Sequence, residues 1–226
     1  MDNFKAPLAE LIGTFALIFV GVGAICVDSL THGGVGLVGI ALAHGLAIAT
    51  MVSATGHISG GHLNPAVTIG ALAGGKISFK TSIYYIIAQL IGASLAALAL
   101  KGVFDTALLE GVHYGTPALG NGVSVVAGVL LEAILTFFLV FAVYGTAIDD
   151  RGPRVGGLFI GLVITMDILV GGTLTGASMN PARTFGPALL SGFWENHFVY
   201  WAGPALGGFV AALVYQYVLG GFWTKK

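Results

Sequence analysis

Charge is what this sequence has least of. Lysine and arginine together number 9, aspartate and glutamate 10, and these four types make up 8% of the 226 residues. An ordinary soluble domain carries about 25%. So few charges cannot cover a water-facing surface, which excludes a soluble globular fold. The net charge of −1 offers nucleic acid no basic face, and no nucleic-acid partner is expected. One cysteine, Cys26, excludes an intrachain disulfide and fits no metal-ligand spacing; it reads as a small apolar packing residue. No nucleophile, base or metal cluster stands out, and Asp149-Asp150 reads as a solvated loop pair. Neither an enzyme nor a cofactor is expected.

Apolar residues make up 56% of the chain, the mean hydropathy is +0.94, and there are 36 glycines. A helix needs about 20 apolar residues to cross a bilayer. Six segments qualify: Leu8–Val27, Val35–Thr55, Thr81–Val103, Val123–Ala147, Val155–Leu174 and Phe198–Leu219. The first lacks a cleavage-like site after it and reads as a span, not a signal peptide. Glycines suit this class, because small residues let helix backbones approach closely. If the spans alternate, Lys5, Lys76, Lys80, Arg151, Arg154, Lys225 and Lys226 fall on one side, the side expected to be cytoplasmic. Both termini are then cytoplasmic. Lys101 ends a span facing the other way.

The chain also repeats itself. Shifted by 116 positions, Gly45-Leu46 falls on Gly161-Leu162, Ile48 on Ile164, Gly60 on Gly176, and Asn64-Pro65-Ala66 on Asn180-Pro181-Ala182. Earlier in each half, Glu10-x3-Thr14-Phe15-x-Leu17-x-Phe19 recurs as Glu132-x3-Thr136-Phe137-x-Leu139-x-Phe141. Three crossings per half is an odd number, so the second copy enters from the opposite face. The repeats cover about residues 8–110 and 123–220 of a single domain, 1–226. Such inverted repeats place their site near the bilayer midplane.

Each triplet opens an apolar stretch too short to cross. Proline suits a first helical turn, and asparagine before it is a good N-cap. One such triplet alone reads as an ordinary helix cap. Two, at matching positions of an inverted repeat, read as half-helices that meet end to end at the bilayer centre. Non-helical backbone at that depth cannot face lipid, so the loops before the triplets are expected to line a pore. Each helix N-terminus carries roughly half a positive charge. Together with the Asn64 and Asn180 amides, this makes a narrow site that donates hydrogen bonds to neutral solutes and repels cations.

These residues resemble the major intrinsic proteins, or aquaporins, over essentially the whole chain, from Ala9-Glu10 to Tyr200-Trp201-Ala202-Gly203-Pro204. Ser59-Gly60-Gly61-His62-Leu63-Asn64-Pro65-Ala66-Val67-Thr68 and Asn180-Pro181-Ala182-Arg183 carry the likeness. It implies an all-α polytopic membrane protein of six transmembrane helices and two re-entrant half-helices, assembled as a homotetramer with one pore per subunit. It also implies an aromatic/arginine filter near the outer mouth, at His44, Ile168, Ala177 and Arg183. His44 with Ile168 is the combination of plant vacuolar aquaporins, where strict water channels have Phe and His. The filter is therefore expected to be wider, passing ammonia as well as water and excluding protons and ions. Vacuolar ammonia channels carry a further histidine after the third span; the nearest here, His113, does not align with it. Arg183-Thr184-Phe185-Gly186-Pro187-Ala188 and Tyr200-Trp201 are water-type choices, which leaves a glycerol or small-solute facilitator as the alternative. The expected location is the cell membrane.

Among the remaining polar residues, the resemblance implies that Glu10 and Glu132 anchor the re-entrant loops. His62 is expected to support the first loop, and Gly60, Gly61 and Gly176 to let backbone carbonyls line the pore. His57 reads as a loop histidine or a cytoplasmic gate. Asp167 is expected to hydrogen-bond to a neighbouring helix or loop, away from the pore. Weak mercury inhibition is expected, since mercury-sensitive relatives often have cysteine where Ala177 stands. A secondary transporter would share the inverted repeat, but needs moving halves and an ion-coupling acid. A junction-forming role would explain none of the filter residues.

Overall fold

The computed structural model describes residues 4–153 and 155–220; Arg154, Lys225 and Lys226 of the expected cytoplasmic charges lie outside them. The described residues form helices without strands. Four are long and apolar enough to cross a membrane by themselves: α1 (Lys5–Leu30), α2 (Gly36–Ser59), α4 (Phe79–Lys101) and α6 (Val125–Val143), the last continued by a π-turn to Ile148. Between α2 and α4 lies the half-helix α3 (Pro65–Ala73). A short helix, α5 (Thr106–Gly111), follows α4. The second half adds α7 (Gly156–Gly171), the half-helix α8 (Pro181–Ser191) and α9 (Val199–Leu213).

The last two spans differ from their expected lengths. Of Val155–Leu174, only 16 residues are helical, about 24 Å at 1.5 Å per residue. The helix stops at Gly171-Gly172, where the chain turns into the second re-entrant loop. In the sixth span, α9 runs into a π-turn through Val218, which restores the length a bilayer requires.

Packing follows the inverted repeat. Helix α1 packs on α2 and α4, as α6 packs on α7 and α9, while α2 and α7 join the halves. Half-helix α3 leans on α9 and α8 on α4, so each half-helix is carried by the last span of the other half. The α2–α7 crossing is a contact of bare backbone. A Cβ on Gly45 would run into Thr165 and the Gly161 carbonyl, and one on Gly161 into the Gly45 carbonyl. Without a hydrophobic driving force between helices in lipid, this close approach supplies the packing attraction.

The candidate pore

The two re-entrant loops share one backbone conformation. Gly60, Gly61 and Leu63 have φ of 91°, 62° and 52°; Gly176, Ala177 and Met179, at the matching positions, have 81°, 43° and 52°. Left-handed backbone costs a non-glycine residue on the order of 1 kcal/mol, so something must hold it. A buried carboxylate does so in each half. Glu10 accepts from Ser59 Oγ at 2.6 Å, the His62 and Leu63 amides at 2.9 and 2.5 Å, and Gln89 Nε2 at 2.8 Å. Glu132 accepts from Thr175 Oγ1 at 2.7 Å and the Ser178 and Met179 amides at 2.9 and 2.7 Å. Buried loop amides need such acceptors. Tyr85 and Tyr200 complete the brace, donating to the Ser59 and Thr175 carbonyls at 2.8 and 2.9 Å.

Both half-helices start as their sequences demand. Asn64 Oδ1 accepts from the Ala66 amide at 2.8 Å, and Asn180 Oδ1 from the Ala182 and Arg183 amides at 3.0 and 3.2 Å. These are N-cap bonds with proline at the first helical position. Each asparagine also reaches across the repeat. Asn64 Nδ2 donates to the Met179 carbonyl at 2.8 Å and Asn180 Nδ2 to the Leu63 carbonyl at 3.0 Å. An amide nitrogen carries two hydrogens, so each retains one.

A cavity runs past these amides. His62, Gly61, Asn64, Asn180, Ser178 and Arg183 contribute polar groups to it, while Ile48, Val52, Val67, Leu139, Val143, Ile160 and Ile164 supply apolar wall. At one end His62 also borders a wider vestibule shared with Ser53, Lys76 and Gly156. At the other, His44, Ile168 and Arg183 border a second vestibule reaching Gly115 and Gly176. Gly60 lies in the first vestibule and Gly176 in the second; of the three loop glycines only Gly61 lines the narrow part.

His44, Ile168, Ala177 and Arg183 meet in this cavity from α2, α7, the second loop and α8. The His44 ring has room because its neighbour on α1 is Gly21, where a Cβ would run into the imidazole. His44 Nδ1 is 2.9 Å from the Ile40 carbonyl and Nε2 is 3.3 Å from Arg183 Nη2. A carbonyl only accepts and a guanidinium only donates. The ring is therefore the neutral tautomer with its hydrogen on Nδ1. Arg183 Nη1 donates to the Gly115 carbonyl at 2.5 Å, and the side chain is buried while still bordering the cavity.

Other residues read from the sequence sit elsewhere. Asp167 is buried, but its Oδ2 has no hydrogen-bond partner among the described residues, which corrects the expected bond to a neighbouring helix or loop. Asp167 itself does not line the cavity, whereas the next residue, Ile168, does. His113 is outside the narrow cavity, its ring stacked on Phe193 at 4.4 Å. His57 is exposed near the end of α2, and Cys26 is fully buried. The Gly115 carbonyl, Gln89 and Tyr85 were not singled out in the sequence, and Tyr200 was named only with Trp201 as a water-type choice. The hydroxyl residues Ser59/Thr175 and Thr68/Thr184 fall 116 positions apart, so the repeat could have found those, whereas Tyr85 and Tyr200 are 115 apart and Gln89 falls on Ala205. Gly115 carries no such signal.

Comparison with known proteins agrees with this geometry. The family model described as major intrinsic protein matches residues 1–215. Aquaporin TIP4-4 of Zea mays is 52% identical over 222 residues, covering 94% of this chain and 85% of that protein. Probable aquaporin TIP3-2 of Arabidopsis thaliana is 48% identical over 231 residues, 96% and 85% of the respective chains. The X-ray structure of the aquaglyceroporin from Plasmodium falciparum superposes with a TM-score of 0.85 at 26% identity, covering 96% of each chain. With sequence, fold and the meeting of the two triplets in agreement, this chain is an integral multi-pass membrane protein of the major intrinsic protein family, the aquaporins.

Proposed function

We propose that the chain is a passive channel for water and ammonia that excludes protons and ions. One observation carries this reading: a single cavity connects the paired Asn64 and Asn180 amides to the His44, Ile168, Ala177 and Arg183 quartet. At the midpoint, a water oxygen that accepts from both free amide hydrogens turns its own hydrogens outward. Hydrogen-bonded waters then point away from the centre in both directions, and the file cannot relay a proton through it. The facing helix N-termini add positive potential against cations. At the outer constriction Arg183 supplies charge and donors, and neutral His44 supplies a polar edge. Ile168 and Ala177 form its uncharged remainder. Pro65, Ala66, Pro181 and Ala182 act as the rigid first turns behind the asparagines. Glu10, Glu132, His62, Gly60, Gly61 and Gly176 hold the carbonyl-bearing loops in place.

The proposed assembly is a homotetramer in a lipid bilayer with both termini cytoplasmic. The TIP-type names of the relatives favour a vacuolar-type membrane over the expected cell membrane. Stopped-flow shrinkage of proteoliposomes, with alkalinisation under an ammonium gradient and glycerol uptake on the same preparation, tests the reading. Water and ammonia flux no faster than in protein-free liposomes would sink it. Glycerol flux comparable to water would favour the facilitator instead.

A further inference from the structure

We propose that the stack of His113 on Phe193 is a positioning device for Arg183, so that a contact outside the pore sets how wide the filter stands. This rests on the channel reading above. The turn from His113 to Thr116 touches half-helix α8 at both ends. In its middle, the Gly115 carbonyl accepts from Arg183 Nη1, at the third residue of α8. At its flanks, the His113 ring lies 4.4 Å from Phe193 with planes 17° apart. Thr116 Oγ1 sits 3.2 Å from Ser191 Oγ. Both of these partners are at the far end of α8, where Gly192 terminates the helix in the left-handed region. Thr116 Oγ1 also donates to the His113 carbonyl at 2.6 Å, closing the turn on itself.

The turn does not hold this shape by local preference. His113, Tyr114 and Gly115 have φ of 48°, 54° and 68°, three consecutive left-handed residues of which two carry side chains that disfavour it. Outside contacts must hold them. Those contacts are the aromatic stack and the Thr116–Ser191 bridge, together with burial of Tyr114. Without the stack the turn has an easier conformation to relax into, and the Gly115 carbonyl goes with it. Arg183 then keeps only the long contact to His44 on this side. A guanidinium held by one partner swings, and the opening it borders admits larger solutes.

His113 does not line the narrow cavity, so it is a positioning residue. The test compares glycerol and water permeability on the same proteoliposomes for the wild type, His113→Ala, Phe193→Ala, Phe193→Leu and His113→Phe. In the three disrupted variants the glycerol-to-water ratio is expected to rise about threefold to tenfold, at or below what one pocket contact discriminates. His113→Phe keeps an aromatic stack and is expected to keep the wild-type ratio. An unchanged ratio in variants that conduct water overturns the proposal, as does a parallel fall of both fluxes, which marks a merely structural stack. Should the alanine variants fail to reconstitute, Phe193→Leu, which removes the ring but keeps its apolar bulk, decides alone. A wild type that conducts no water would instead refute the channel reading.

Discussion

His44 Nε2 accepts a hydrogen bond from Arg183 Nη2 across 139 positions of sequence, and the Ile40 carbonyl fixes the tautomer that makes this acceptance available. The two residues face each other because α2 and α8 come from different halves of the repeat. The pair therefore ties this end of the cavity to the pseudo-symmetry of the fold. Replacing His44 by Phe leaves one buried Arg183 N–H without this partner, a loss of about 1–3 kcal/mol. The expected result for His44→Phe is a lower melting temperature in detergent. The ammonia-to-water permeability ratio is expected to fall by about tenfold. Stopped-flow measurement of both fluxes checks it.

Glu10 and Glu132 are acceptors only, each facing several donors. Glu10→Gln or Glu132→Gln turns one acceptor oxygen into a donor. At least one loop amide then loses its acceptor in a buried place, at a cost of about 1–3 kcal/mol. Lower thermal stability and lower reconstituted yield are expected for both, read by thermal unfolding in detergent. Wild-type stability in both variants would show that the loops hold their shape unaided.

His197 lies in the turn before α9, where Trp201 Nε1 donates to its Nε2 at 3.2 Å. Its Nδ1 is buried without a partner among the described residues, beside the rings of Trp194 and Phe185. Burial pushes this imidazole below the usual histidine range. The unfolded chain takes up a proton near pH ~6.5 while the folded chain resists it. The stability linked to this group is therefore complete above that pH and is lost as pH falls toward the depressed folded value. The melting temperature of the wild type is expected to drop as pH is lowered from 7 to 5. His197→Phe should drop less over the same range, as differential scanning fluorimetry can show.

Cys26 is fully buried and does not line the cavity, whereas Ala177 does. Mercuric chloride is expected to inhibit wild-type water flux weakly. Ala177→Cys places a thiol in the cavity wall and is expected to become strongly inhibited, with recovery on adding a reducing thiol. Strong inhibition of the wild type that disappears in Cys26→Ser would count against this placement.

The sequence by itself determined the membrane class, the inverted repeat and where the two half-helices start, because each rests on a local rule. Charge scarcity and apolar length fix what faces lipid, a spacing of 116 reveals the duplication, and Asn-Pro opens a helix wherever it occurs. The resemblance carried the filter residues, which no periodicity would have found. Only the tertiary structure decided what holds Arg183. The Gly115 carbonyl is a backbone atom in a turn with no motif, and its reach to α8 depends on three left-handed residues whose shape is imposed by contacts 75 or more positions away. It also decided that His113 stacks outside the narrow cavity and that Asp167 Oδ2 has no partner among the described residues. Side-chain direction within a packed bundle follows from which helices cross, and that is settled by backbone contacts such as Gly45 on Gly161.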